Sequence, residues 1–180
     1  MTSFRQLLSA GAVFVLLIIG AGEKQSAQNC AVTLQPGQSV QQAINAAPEG
    51  ALVCLAAGTF TENLTITKNL SLRGAARDQT ILQGAVRVEL DRSIQVALTN
   101  LTVTGSRFGA GVRIGGQAIV TLDDVAVTES FMGVLAVGSA RVTITNTQIS
   151  HNQYDGVRGE GSSLLTAQNT RIVENGLDGV

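Results

Sequence analysis

Aromatic residues are scarce in this 180-residue chain, making up 3% of it, and tryptophan is absent. Proline occurs only twice and histidine once. A core with so few rings must be built from aliphatic side chains, which agrees with a hydrophobic share of 44%. The formal net charge of -1 supplies no long-range field for nucleic acid or an anionic membrane surface, so we expect neither as a partner. The length fits a single domain.

Residues 1–27 predict a secretory signal peptide. Arg5 gives an early positive charge, an apolar run extends from Leu7 to Ile19, and the small residues Gly20, Ala21 and Gly22 follow. The run is shorter than the ~20 residues of a membrane-spanning helix. An uncleaved anchor is the alternative, and the cleavage site stays open. We expect the domain over 28–180 to be secreted, periplasmic or on the cell surface, without a membrane after signal removal.

Two cysteines, Cys30 and Cys54, lie in the strand-like segments CAVTL and ALVCLA. An even cysteine count in an exported protein favours a disulfide. If the two strands are neighbours, the bridge would stabilise the domain by roughly 3 kcal/mol in the chain-entropy model. The alternative, a reactive or metal-binding pair, lacks both CxxC spacing and a nearby histidine.

From residue 94 onward the chain repeats itself every 22 to 24 residues, as the positions of three columns show. The first column is polar and contains Asn100, Asp124, Asn146 and Asn169. The second is also polar and contains Ser106, Ser130, Asn152 and Asn175. The third consists of glycines, each followed by valine: Gly111, Gly133, Gly156 and Gly179.

Between these columns, apolar and polar residues alternate for three to five residues before each turn, which is typical of short strands. No single repeat can bury its apolar face, but stacked repeats share a continuous core. The sequence therefore predicts an all-β parallel β-helix of coils of 22 to 24 residues. At the first column we expect amide groups that hydrogen-bond the backbone of their own and adjacent coils, with Asp124 as a weaker or differently bonded rung.

The stretch PGQSVQQAINAAPEG departs from the strand pattern because Val40, Ala43, Ile44 and Ala47 follow helical spacing. Ser39 and Gln42 form a capping box at its start. We expect a short helix that covers the open N-terminal end of the stack. The predicted strand after Gly179 is cut at Val180, so the domain is interpreted as incomplete at its C-terminus, where further coils or a partner are expected.

The passage PGQSVQQAINAAPEGALVCLAAGTFTENLTITKNLSLRGA, together with the asparagine column, resembles the pectin-lyase-like superfamily of right-handed parallel β-helix proteins. The later YDGV and LDGV turns resemble carbohydrate-binding and sugar-hydrolase repeats. The enzyme motifs of that superfamily are missing: there is no Gly-His-Gly, no Asp-Pro-His-Asp, and only the acidic pair Asp123 and Asp124. The resemblance thus implies the fold strongly and a particular activity weakly.

In the resembling enzymes the substrate groove lies along the strand that follows the glycine column. Alternation points Arg113, Leu135, Val137, Arg158 and Glu160 outward there. Binding candidates combine this face with its adjoining turns: Arg113, His151, Arg158, Glu160 and Glu174. Catalytic candidates are Arg158, as base or substrate clamp, with Asp155 and Asp178 as acid/base groups. Calcium ligation is an alternative role for the acidic residues Asp155, Glu160, Glu174 and Asp178; otherwise no cofactor or metal is expected.

Each of these residues also has a structural interpretation. Aspartate before glycine favours turns, a lone histidine in a turn is usually solvated, and outward arginines commonly pair with a neighbouring glutamate. Three functions follow: binding of polysaccharide on the outer face; a polysaccharide lyase, hydrolase or epimerase with catalytic coils partly beyond residue 180; or a structural surface or periplasmic module. No complete catalytic motif favours the second.

Overall fold

A computed structural model describes residues 29–179 as a parallel β-solenoid with one short helix, α1 (Val40–Ala46). The predicted all-β parallel stack with an N-terminal helix is thereby confirmed. The predicted signal peptide, residues 1–27, lies outside the described residues. Within the described range, no helix is long and apolar enough to span a membrane.

Short strands account for most of the described chain, and nearly all of them have between three and seven residues. In chain order they are β1 (Val32–Leu34), β2 (Ala51–Leu55), β3 (Gly58–Thr61), β4 (Leu64–Ile66), β5 (Leu70–Arg73), β6 (Thr80–Gln83), β7 (Val86–Leu90), β8 (Gln95–Thr104), β9 (Ala110–Gly116), β10 (Ile119–Thr128), β11 (Met132–Ala136), β12 (Arg141–Thr145), β13 (Gln148–Ser150), β14 (Val157–Gly159), β15 (Leu164–Gln168) and β16 (Arg171–Val173).

These strands form two parallel sheets. Sheet A has the order β1-β2-β5-β8-β10-β12-β15, with β3, β6, β13 and β16 continuing the same coils around a corner. Sheet B has the order β14-β11-β9-β7-β4. Each downstream coil thus runs through sheet A, around a corner into a second sheet A segment, and across to sheet B.

The register stacks like residues inside the solenoid. Leu72 pairs with Leu98, Leu98 with Leu122, and Leu122 with Ile144, and all four are fully buried. Val112 and Val134 form a similar fully buried step under sheet B. A fully buried aliphatic side chain contributes about 1.5–3 kcal/mol, so these layers are the main stabilising contribution, as the aromatic-poor composition requires.

The first polar column lies at the corner between the two sheet A segments, and its backbone is left-handed. The φ angles are 55° at Asn100, 50° at Asp124, 50° at Asn146 and 50° at Asn169. Asparagine and aspartate tolerate this conformation better than other non-glycine residues, which accounts for the column. The expected amide ladder is not found in residues 29–179: the Asn146 amide donates instead to the Asp123 carboxylate, at 2.8 Å.

Asp124 is the differently bonded rung of that corner. Its carboxylate lies 3.4 Å from the Arg77 guanidinium, which also donates to the Asn146 carbonyl at 2.9 Å. Arg77 belongs to the AARDQ insertion after β5, and its own carbonyl accepts from the Thr102 hydroxyl at 2.7 Å. The insertion is therefore folded back along the corner and ties three further coils to its own.

The hydrogen-bonded polar ladder lies in the second column, inside the solenoid. The Asn152 carboxamide oxygen accepts from the Ser130 backbone N–H at 3.1 Å, and its Nδ2 donates to Asn175 Oδ1 at 2.9 Å. Asn152 is 2% exposed. Because buried polar groups are normally hydrogen-bonded, these bonds between coils explain why a buried position of the repeat can hold asparagine.

The glycine column packs against that ladder. A Cβ built on Gly133 would lie 2.2 Å from the Gly156 carbonyl oxygen and 3.0 Å from Asn152 Nδ2. Any side chain there would force the coils apart. The second polar column and the glycine column therefore recur together in the sequence because they pack against each other in the solenoid.

Helix α1 is fixed by the coil that follows it. Ser39 is its N-cap and accepts from the Gln42 N–H at 3.2 Å, as the capping box predicts, but the second capping group is Glu62. The Glu62 carboxylate accepts from Ser39 Oγ and the Val40 N–H, both at 2.7 Å. The Gln41 side chain pairs with both backbone groups of Thr65 and so covers the exposed edge of β4.

Cys30 and Cys54 form a disulfide, with a Cα–Cα distance of 5.7 Å. Cys54 lies in β2 as expected, whereas Cys30 precedes β1 rather than lying inside it. Arg73 stands next to Cys54 in the adjacent strand and places a guanidinium nitrogen 3.4 Å and 3.5 Å from the two sulfurs. The bridge joins the segment directly before β1 to β2.

Candidate functional site

The outward face of sheet B carries a column of long side chains on the four coils that contain β7, β9, β11 and β14. In register these are Arg87, Arg113, Leu135 and Arg158, which we call the outer column. Their neighbours along each strand point inward: Val112, Ile114 and Val134 are fully buried. The sequence alternation placed Arg113, Leu135 and Arg158 on this face, and the register agrees.

Two arginines of the outer column are paired with carboxylates. Arg113 lies 3.5 Å from Glu89, which precedes it by one coil. Arg158 lies 2.9 Å from Glu160, which directly follows its strand, and 3.4 Å from Asp155 in the preceding turn. These pairs are partly exposed, so each contributes at most about 1 kcal/mol. They nevertheless neutralise the positive charge of both guanidinium groups.

Asp155 and Asp178 occupy equivalent turns on successive coils, where the backbone carbonyl of each accepts from the glycine N–H of the coil before it, both at 3.0 Å. Of the catalytic candidates, the structure brings Asp155 and Arg158 together as an ion pair. Among the described residues, no three His, Cys, Asp or Glu side chains form a group that could hold a metal ion. The catalytic and calcium roles stay predictions.

His151 and Glu174 lie elsewhere, at the corner that ends the second segment of sheet A. His151 Nε2 is 2.8 Å from a Glu174 carboxylate oxygen, and both side chains are 60% exposed. Their φ angles are 56° and 55°, and Glu129 one coil earlier has 51°. Gly105 holds the same corner with φ 77°. These residues form a second left-handed corner. The backbone conformation therefore accounts for their recurrence in the repeat, and no bound ligand is needed to explain it.

Aromatic side chains collect in the turns between that corner and sheet B. Four aromatic residues fall within the described residues, and Phe60 alone is in the core. Phe108, Phe131 and Tyr154 lie in successive turns, and the rings of Phe131 and Tyr154 are 4.3 Å apart. Phe108 is 99% exposed. Since most of the few rings lie along one edge of sheet B, this edge differs from the rest of the surface.

An open groove of about 510 Å³ lies beside Phe108. Residues on three consecutive coils border it, among them Asn63, Thr65, Arg87, Ser106, Arg107 and Phe108. We call it the Phe108 groove. It combines a ring, two guanidinium groups, an amide and hydroxyls, which is the mixture of groups that binds small polar ligands. Another depression, of about 380 Å³ on sheet A, has neither a charged nor an aromatic residue in its lining.

The sequence interpretation missed Arg87, Arg107 and Phe108. The turn that carries Phe108 is longer than its counterparts: Gly111 follows Ser106 by five positions, whereas Gly133 follows Ser130 by only three. Aligning the turns from the second column forward would have placed Phe108, Phe131 and Tyr154 on one edge. That alignment was the available signal.

Comparison with known proteins gives a match to a family described as a right handed beta helix region, over residues 84–180. These residues make up more than half of the chain. The A-module of mannuronan C-5 epimerase AlgE4 from Azotobacter vinelandii is similar in structure, at 16% identity and a TM-score of 0.36, over 80% of this chain and 70% of that chain. No curated protein matches.

Proposed function

The chain belongs to the right-handed beta helix family, and we propose that it is an exported protein that binds polysaccharide along the outward face of sheet B. The observation that carries the proposal is the Phe108 groove, where an exposed ring, guanidinium groups and an amide border one open channel. Export is supported by the Cys30–Cys54 disulfide, because such bridges persist in oxidising compartments.

Sugar chemistry fits these groups. A pyranose presents an apolar C–H face, which packs on an aromatic ring, and hydroxyl groups at its rim, which pair with amides and guanidinium groups. Phe108 offers such a ring, fully accessible and next to polar side chains.

The shape of the face fits a polymer rather than a single sugar. Successive coils repeat the outer column at the strand spacing of about 4.8 Å, which is close to the length of one sugar unit in an extended chain. The Phe108 groove continues into this column through Arg87, which belongs to both. A polysaccharide lying along the solenoid axis would therefore contact one coil after another.

Binding of a glycan panel to the purified protein, followed by affinity measurement on the polymers retained, tests the proposal. Replacing Phe108 by alanine should weaken binding about tenfold, the equivalent of ~1.4 kcal/mol. Leu164→Ala is the matched control, since Leu164 is 54% exposed but lies on sheet A. Failure of every polysaccharide to bind, or equal loss in both variants, would contradict the proposal.

The same samples should be assayed for cleaved or unsaturated sugar products. Turnover that disappears in Arg158→Gln would add a catalytic role for Arg158 and Asp155 to the binding role. Binding without turnover would leave a polysaccharide-binding protein, and a protein that binds nothing would leave the structural-module hypothesis.

A further inference from the structure

The arginines on and beside the outer column differ in their partners. Arg113 and Arg158 each have a carboxylate within 3.5 Å. Within residues 29–179, no ion pair of 4 Å or less joins Arg87 or Arg107 to a carboxylate. The positive charge of this face is therefore concentrated at its upstream end.

Both of these unpaired arginines border the Phe108 groove. Arg87 lies on β7 of sheet B. Arg107 lies in the turn before β9, directly before Phe108. Both side chains belong to exposed residues. The named polar groups of the groove are Asn63, Thr65 and Ser106, and no acidic residue lines it.

We infer that the Phe108 groove seats an acidic substituent of the bound polysaccharide, a carboxylate or a sulfate ester, between Arg87 and Arg107. This inference rests on the proposed function and adds the substrate class. A guanidinium group binds either anion through two parallel N–H donors, and such charge-assisted bonds are stronger than neutral ones. Phe108 then covers the apolar face of the sugar that carries the substituent.

The neutralised part of the face has a different role. Downstream, Arg113 and Arg158 already have acidic partners, so further anionic sugars gain little there and neutral units suffice. The groove therefore selects for an acidic unit at one end of the bound segment. Because the two arginines are exposed, their attraction for an anion is screened by salt, and the preference for acidic polymers should decrease as salt is added.

Two matched pairs of polymers test the inference: a polyuronate with the neutral polymer made by reducing its carboxyl groups, and dextran sulfate with dextran. The wild-type protein should bind one acidic member at least tenfold more tightly than its neutral counterpart. The double variant Arg87→Gln/Arg107→Gln should lose that preference, because its affinity for the acidic polymer should decrease much more than its affinity for the neutral one. The pair that shows the effect identifies the substituent as carboxylate or sulfate.

The control is Arg141→Gln/Arg171→Gln, which removes the same charge from two sheet A strands whose arginines also have no ion pair within residues 29–179. It should keep the preference, and both double variants should unfold at the wild-type temperature. Equal binding of acidic and neutral polymers by the wild type, or an equal loss of preference in both double variants, would overturn the inference. After either result, the proposed function would still be supported if Phe108→Ala weakened polysaccharide binding. The proposed function itself would be contradicted if no polymer bound.

Discussion

The coils before residue 93 and the coils after it are held together in different ways. Upstream, the stabilising contacts are individual: the Cys30–Cys54 disulfide, the Glu62 cap on α1 and the Gln41 pairing with Thr65 each occur once. Downstream, the contacts are columns that recur on each coil. The separation between paired residues on adjacent coils differs in the same way. It is 19 residues from Val53 to Leu72 and 26 from Leu72 to Leu98, but only between 22 and 24 in the later coils.

The difference follows from position in the stack. A middle coil is covered on both sides by similar coils, so a repeated side chain always finds the same partner. The first coil has one open side, where strand edges and aliphatic layers would meet water. It needs contacts that no repeat supplies, and the helix with its docking residues provides them. The irregular sequence upstream is therefore the expected sequence of a cap.

The largest effect should come from the disulfide. Replacing both Cys30 and Cys54 by serine removes the closure of a 24-residue loop, which lowers the free energy of unfolding by about 3 kcal/mol in the chain-entropy model. Denaturant unfolding measures the total. Hydrogen exchange should show the lost protection in β1, β2 and α1, while β10 and β12 keep theirs. Uniform loss over all coils would contradict the division into two regions.

The next largest effect concerns the internal ladder. Asn152→Ala leaves the Ser130 N–H and the Val127 carbonyl without their side-chain partner in a buried place, which should cost about 2 kcal/mol. Here the loss of protection should lie downstream, in β10, β13 and β16. Thermal and denaturant unfolding give the magnitude, and hydrogen exchange gives the location.

Asn146→Gly is the control for that variant. Its side chain is exposed and donates only to Asp123, and glycine accepts the left-handed backbone, so the change should be within about 0.5 kcal/mol. If Asn146→Gly proved as costly as Asn152→Ala, the exposed corner and not the internal column would be the polar ladder of the stack.

The two polar columns mark the limit of what the sequence discloses about the fold. Their spacing predicted the solenoid, its period and its corners, because stacked coils must place equivalent residues above one another. Both columns contain asparagine, however, and sequence spacing does not distinguish an exposed residue chosen for its φ angle from a buried one chosen for its hydrogen bonds. Asn146 and Asn152 are six residues apart and serve these two different purposes.

The candidate site was predictable only in part. Period-two alternation places Arg113 and Arg158 outward because strand geometry fixes that direction. It does not disclose which arginines are neutralised, since the partners Glu89 and Asp155 come from another coil and from a turn. Phe108 lies in the turn of unusual length, where the alignment of repeats is weakest. The proposed binding site thus includes the turn where the repeat is least regular, as is common for loops on a rigid scaffold.

A third effect, smaller than the first two, concerns the contact between Glu62 and helix α1. Glu62→Ala removes the carboxylate that accepts from Ser39 Oγ and the first N–H groups of α1, at an expected cost of about 1 kcal/mol. Exchange of the α1 amides should increase while β2 remains protected. The control is Arg92→Ala, which breaks only the exposed 3.7 Å pair with Glu49 and should cost less than about 0.5 kcal/mol. Equal costs would mean that Glu62 contributes no more than an ordinary surface charge.

The smallest expected effect is a gain in stability at the second left-handed corner. Glu129 has φ 51° and only a 3.5 Å contact to the Thr104 hydroxyl, so its side chain offsets little of the backbone cost. A left-handed non-glycine residue costs about 1–2 kcal/mol, whereas glycine loses roughly 0.5–1 kcal/mol of chain entropy on folding. Glu129→Gly should therefore raise the free energy of unfolding by about 0.5 kcal/mol, and Gly105→Ala, at the same corner one coil earlier, should lower it. A loss of stability in Glu129→Gly would show that the repeated columns depend on side chains even at an exposed corner, and the contrast with the individually stabilised upstream coils would weaken.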